Sequence, residues 1–245
     1  MRPLSAQDVL TVWEWGQARD SIGRALTLLA VSCPEVPDEE LVALSVGERD
    51  ARLLDLRALT FGQALDGFAE CPQCGVRLEF ELAAEDIRMH GLLEPEGWEH
   101  ALTAAGVDLR FRLPTSQDLF AIAGCGSAEA GRDLLVKHCV TGATLDGRPI
   151  DCSKLPPEAI TALAARMAEC DPQAEVLLSL ACPACGHAWR LLLDIASFFW
   201  GEIQARAKRL VSEVDALART YGWREADILS MTAGRRRSYL ELATG

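Results

Sequence analysis

ECPQCGVRLEFEL, residues 70–82, sets a Cys-x-x-Cys hook directly ahead of a stretch in which Val76, Leu78, Phe80 and Leu82 alternate with Arg77, Glu79 and Glu81. A period of two is that of a strand with one face buried. The hook returns as ACPACGHAWRLLLDI, residues 181–195, again followed by Gly and an apolar-rich stretch. A zinc knuckle needs two thiolates close in sequence on a tight turn, which Pro and a following Gly assist. Two such turns supply the four sulfurs of a closed tetrahedral site. The doubled hook predicts that Cys71, Cys74, Cys182 and Cys185 hold one structural zinc per chain, joining two β-hairpins into a zinc-ribbon-like unit. The long insertion between the hooks fits an intervening region that brings its two ends together.

Three other readings of the hooks differ in chemistry. A thioredoxin-like redox site puts Cys-x-x-Cys where a strand runs into a helix, whereas both hooks here run into strand-like pattern. A catalytic zinc needs an open coordination position and usually His or carboxylate ligands. His187, two residues past Cys185, is read as an exposed neighbour and left out of the ligand set. A metal-free pair of hooks would leave four thiols without a common purpose.

Outward from the hooks the chain reads as helical. SAQDVLTVWEWGQAR has a cap at Ser5, with Val9, Val12 and Trp13 at helical spacing. SIGRALTLLAVSC continues until Pro34, and PDEELVALSVGERDARLLDLRALTFG starts at Pro37-Asp38 and ends at Gly62. Between the hooks, GVDLRFRL alternates as a strand and PTSQDLFAIAG takes Ser116 or Thr115 as its cap. SAEAGRDLLVKHCV is a helix, TLDGRPID turns at Asp146-Gly147, and LPPEAITALAARMAECD is a helix with Pro157 near its first turn. After the second hook, Phe199, Ile203, Ala207, Leu210, Val214 and Leu217 form an apolar seam on a long helix that Gly222 ends. Two short helices follow. The expected fold class is α+β, mainly helical, with a small zinc-ribbon-like β unit and a long C-terminal helix. Its regions are 1–66, helical; 67–195, α+β and closed by two zinc knuckles; and 196–245, helical.

Composition narrows the function classes. The chain has 245 residues, 49% of them apolar and 24% charged, as in an ordinary globular protein. Its net charge of −12 is the opposite of what displaces counterions from a duplex. The one basic run, GRRR at 234–237, reads as a solvated helix end. Asp8 and Glu14 interrupt the apolar core a signal peptide would need, and no stretch is long enough for a membrane span. The expected location is the cytosol. Nine cysteines, an odd number, do not suggest a secreted disulfide scaffold. Cys33, Cys125, Cys139, Cys152 and Cys170 read as reduced, mostly buried residues. No Gly-rich phosphate loop, His-Glu-x-x-His or Gly-x-Ser-x-Gly is present, and there are four His and two Tyr, so nothing supports an enzyme.

Several stretches together resemble one family: RPL at the start, LSVGERDARLLDLRALTFG leading to CPQCG, RLPTSQDL, DPQAEVLLSLACPACGHAW, DIASFFWGEI and EVDALARTYGWREADILSM with RRRSYLEL. This is the baseplate hub-assembly family of contractile-tailed phages, of the T-even type, also found in prophages and phage-like contractile injection systems. The resemblance implies a non-enzymatic role in building the baseplate, as a chaperone for the central hub or as a component retained in the particle. It implies other baseplate or tail proteins as partners, with assembly in the host bacterial cytoplasm, while the charge and hydropathy above predict no nucleic-acid and no membrane partner. It supplies no catalytic residues. The four hook cysteines match the family's paired hooks, but compact members lack a convincing double hook, so the expected part of the zinc is stiffening. Trp13, Trp15, Trp200 and Trp223 are candidates for core or interface anchors, and region 198–243 is the expected docking surface. The rival is a zinc-ribbon nucleic-acid-binding or regulatory protein, against which Glu70, Glu79, Glu81, Glu85 and Asp86 around the first hook argue. A thiol redox protein is the third alternative.

Overall fold

The capping chemistry at Ser5 starts the chain's first helix. Its hydroxyl accepts the Asp8 N–H at 3.2 Å while the Asp8 carboxylate accepts the Ser5 N–H at 2.9 Å, a reciprocal pair that satisfies two helix-end donors. The structure, a computed structural model, describes residues 1–89 and 99–244. Helix α1 (Ala6–Gly16) is followed by α2 (Ser21–Ser32), where Asp20 accepts the Gly23 N–H at 2.7 Å, and by α3 (Asp38–Ala43) and α4 (Val46–Phe61). The run from Pro37 to Gly62 is thus two helices. Ser45 breaks it by bridging to Thr115 and capping α4 with its side chain.

The strands alternate as their sequences demand. Strand β1 (Ala64–Glu70) pairs antiparallel with β2 (Arg77–Ala83), and a single helical turn, α5 (Ala84–Ile87), follows. Strands β3 (His100–Ala104), β4 (Val107–Phe111), β5 (Val140–Leu145) and β6 (Arg148–Pro149) form an antiparallel sheet in that order, with α6 (Ser116–Ala123) and α7 (Ala128–Cys139) between β4 and β5. The β5–β6 turn falls at Asp146-Gly147, both with positive φ (49° and 74°), the backbone that two-residue hairpins need. Helix α8 (Pro157–Cys170) precedes a second hairpin of β7 (Leu177–Ala181) and β8 (Ala188–Leu192). The chain ends in α9 (Ile195–Tyr221), α10 (Glu225–Ser230) and α11 (Ala233–Thr244).

Among the described residues, two apolar clusters hold these elements. The larger gathers α1, α2, α4 and the apolar seam of α9, with Leu28, Leu29, Leu53, Leu56, Phe199, Ile203, Ala207 and Leu210 fully buried. The seam is therefore core, with Val214 half-buried at its margin. The smaller cluster packs Val107, Leu109 and Phe111 of β4 against Ala159 and Leu163 of α8. Mainly helical, with three small antiparallel sheets among the described residues, the chain has the α+β character its sequence implies.

The basic run needs correction. Arg236 is buried, donating to Glu213 at 2.8 Å and to the Met231 carbonyl, so one of the three arginines is an internal clamp between α11 and α9. Among the tryptophans, Trp200 is buried, Trp13 packs against the larger cluster, Trp223 is half-buried and Trp15 is 58% exposed. Cys33 and Cys139 are buried, while Cys125, Cys152 and Cys170 are half-buried and none is in a disulfide.

Candidate metal centre

Each hook is the tip of a hairpin, and the two tips are built alike. The Cys71 N–H donates to the Val76 carbonyl at 2.9 Å and the Gly75 N–H to the Cys71 carbonyl at 2.9 Å. At the other tip, Cys182 donates to the His187 carbonyl at 2.8 Å and Gly186 to the Cys182 carbonyl at 2.9 Å. Gly75 and Gly186 have φ of 72° and 71°, the left-handed backbone that favours glycine and lets the chain turn back into β2 and β8. This is why the sequence repeats Cys-Pro-x-Cys-Gly with the final residue fixed as Gly. The first cysteine of each hook is buried and the second exposed, so each pair offers one sulfur from below and one from outside.

The tips meet. Cys71 Sγ lies 3.7 Å from Cys185 Sγ, and Cys74 Sγ lies 3.5 Å from Cys182 Sγ. All four sulfurs fall within 4.8 Å of one another, the one such group of potential ligands among the described residues. A tetrahedral zinc with Zn–S of about 2.3 Å has sulfur–sulfur edges of about 3.8 Å, whereas a disulfide requires about 2.05 Å. These shortest approaches run between hooks, so the geometry suits four ligands sharing a centre. All four sequence-selected cysteines are brought together and could hold a metal ion. His187 is not among them; its ring stacks on Trp189 at 6.0 Å.

Electrostatics separates the thiols. Backbone N–H donation from Cys185, then from Ala184, brings the Cys182 thiol down to about 7 against the opposing effect of burial. Cys74 goes the other way, up to about 12: the Val76 N–H favours its thiolate, but the thiols of Cys182 and Cys185 outweigh it. Cys182 is thus easier to ionise than Cys74, and a cation shared by the four would displace the protons still bound to sulfur. Outside the cluster, burial pushes the Cys139 thiol up to about 11, leaving it a poor nucleophile.

A second polar cluster escapes sequence reasoning. The buried Asp118 carboxylate takes both guanidinium nitrogens of Arg112 (2.6 and 2.8 Å), the N–H and hydroxyl of Thr115, and His138 Nδ1 at 3.2 Å. Burial alone would raise its pKa, but Arg112 and Thr115 overcome that and hold Asp118 far below the usual carboxylate range. The cluster joins the end of β4 to α6 and α7. A helix cap at Ser116 or Thr115 was legible in the sequence, but the convergence of Arg112 and His138 on Asp118 was not.

Residues 5–200 match the family described as T4 bacteriophage base plate protein, which takes in both hairpins and all four cysteines. No curated protein and no solved structure matches the chain. No helix among the described residues is long and apolar enough to cross a membrane. With the match spanning most of its length, the chain belongs to the T4 bacteriophage base plate protein family.

Proposed function

We propose that the protein is a non-enzymatic structural or assembly component acting in baseplate hub assembly of a contractile tail or phage-like injection system, stiffened by one structural zinc on Cys71, Cys74, Cys182 and Cys185. Membership of a baseplate family supports a structural role through contacts with other baseplate proteins. The observation that carries the zinc is the convergence of four sulfurs within 4.8 Å from two like-built tips. Four thiolates with no carboxylate or imidazole among them form a closed site, which is a fastening and leaves no position for substrate. In this reading helical regions 1–66 and 196–245 flank a region, 67–195, that the two knuckles close. Assembly in the host cytoplasm, before incorporation into the tail, belongs to the same proposal.

The test is elemental mass spectrometry on untagged protein beside a Cys182→Ser variant, together with co-purification from cells expressing the neighbouring tail cluster. One zinc per chain, lost in the variant, and retention of tail proteins by the wild type are the expected results. A well-folded, metal-free wild type would remove the zinc. Salt-sensitive DNA binding by fluorescence would replace the assembly role with nucleic-acid recognition.

A further inference from the structure

Away from the cysteines, the molecule separates its charge. On the outward face of the β1–β2 hairpin, Asp66 lies directly opposite Glu81, and Glu79 opposite Phe68. Phe68 is 61% exposed, with the Arg77 guanidinium stacked 4.1 Å from its ring. Asp66, Glu79 and Glu81 enter no ion pair among the described residues. Like charges directly opposite across a strand pair are destabilising. The isolated chain therefore carries a face that a cationic partner would relieve, with an aromatic side chain at its centre.

The complementary surface is at the other end of α9. Tyr221 stacks on Trp223 at 4.5 Å, and Tyr239 meets Trp223 edge-on at 4.8 Å, with Arg235 over the Tyr239 ring at 5.7 Å. Arg224, Arg235 and Arg237 are exposed and form no ion pair among the described residues. Residues 205–245 carry eight Lys and Arg against five Asp and Glu, a net charge of +3 within a chain of net −12. This end also lies past residue 200, where the family match stops. The hairpins flank the start of α9, where Leu65, Phe80 and Leu82 share a groove with Leu191 and Phe198. At 1.5 Å per residue, α9 spans about 40 Å, so the two surfaces cannot meet within one chain.

We propose that the acidic, Phe68-centred face of β1–β2 docks the basic, aromatic C-terminal end of a second copy of this chain, head to tail. Such a contact joins two different patches, so it propagates from copy to copy and ends in a ring or an open array. Arg235 and Arg237 supply the charge that Asp66, Glu79 and Glu81 lack, and Trp223 supplies an apolar partner for Phe68. Attraction between exposed charges of this kind is screened by salt, so the association belongs to low ionic strength and high concentration. It does not depend on the metal reading.

Sedimentation velocity across protein concentration, in low and in high salt, reads the association directly. Wild type is expected to associate at low salt and to return to monomer at high salt. Glu79→Lys with Glu81→Lys, and separately Arg235→Glu with Arg237→Glu, should each weaken association by at least about tenfold, since like charges then face one another. Mixing the two variants pairs each reversed patch with its opposite and should restore association between unlike chains. Both pairs are exposed surface substitutions, and unchanged circular dichroism confirms their folding. A wild type that stays monomeric at every concentration overturns the proposal, as does association that the reversals leave unchanged or that mixing fails to restore. A monomeric wild type that binds a free arginine-rich peptide through Glu79 and Glu81 would also overturn it, assigning the face to a basic partner of another kind.

Discussion

Asp118 shows what a single buried carboxylate does here. It is the common acceptor for Arg112, Thr115 and His138, and Asp118→Asn would leave Arg112 without its bidentate partner. Removing one member of a largely buried charge pair costs about 2–4 kcal/mol, to be read as a lower denaturation midpoint at neutral pH. The sign of the pH dependence follows from the depressed pKa. The ionised form is favoured by the fold, so its contribution is complete above the unfolded value near 4 and is lost as pH falls through the folded value. Wild type should lose stability faster than the Asn variant below about pH 4. Asp50 behaves oppositely. Burial outweighs the adjacent Arg49 and raises it to about 6. Between that value and the unfolded one near 4, the folded state holds the extra proton, so stability rises as pH falls from 7 towards 4. In Asp50→Asn that slope should flatten, whatever happens to absolute stability. A slope unchanged from wild type would contradict the assignment. The cap at Ser5 was legible in sequence because a cap acts within about three residues along the chain. The partners of Asp118 and Arg236 were not, because the fold, not the spacing, brings them together.

The same distinction orders the elements. Helix α9 declared itself through a seam at alternating spacings of three and four, because the core it meets extends along its length. Leu210 on the seam is fully buried and Val211 beside it is 48% exposed. Leu210→Ala should cost about 2–5 kcal/mol in chemical denaturation, while Val211→Ala should stay within about 0.5 kcal/mol. Strands β2 and β4 were visible by alternation. Strand β3 was not, since HALTA carries no strong apolar periodicity and is placed by its pairing with β4. The start of α4 is a further case. Ser45 caps it, a start that the sequence reading of one run from Pro37 to Gly62 missed, and the Gly47 N–H is taken by the Asp171 carboxylate at 2.9 Å, from a segment far along the chain. A methyl group on Gly47 would overlap that carboxylate and crowd the Ala174 backbone. Gly47→Ala should therefore lower the melting temperature despite alanine's better helix propensity. A more stable variant would show that the 171–174 turn moves aside freely.

At the scale of the molecule, the meeting of the two hooks is the long-range feature most legible in the sequence, because a repeated Cys-Pro-x-Cys-Gly restricts both residue type and local spacing. What spacing could not convey is that the chain between them builds its own core. The Val107–Leu109–Phe111 cluster packs on α8 without help from the cysteines, and the larger cluster rests chiefly on α1, α2, α4 and α9. The proposed zinc would therefore join units that are already apolar-packed, and its removal should loosen the hairpins without erasing the helices. Closing a chain loop on the order of 100 residues is worth about 4–5 kcal/mol in the unfolded-state account. For a chain of this size, 1 kcal/mol moves the melting temperature by about 2–4 °C. Treatment with a strong chelator should thus lower the melting temperature by roughly 10–20 °C, with most of the helical circular dichroism retained at room temperature. Limited proteolysis should then cut first in 71–76 and 182–187, the two tips. Readdition of zinc should reverse both effects in wild type and neither in Cys182→Ser. Complete loss of helical signal on chelation would mean that the two cores cannot stand without the fastening. An unchanged melting temperature would mean that the four sulfurs hold no metal that the fold depends on.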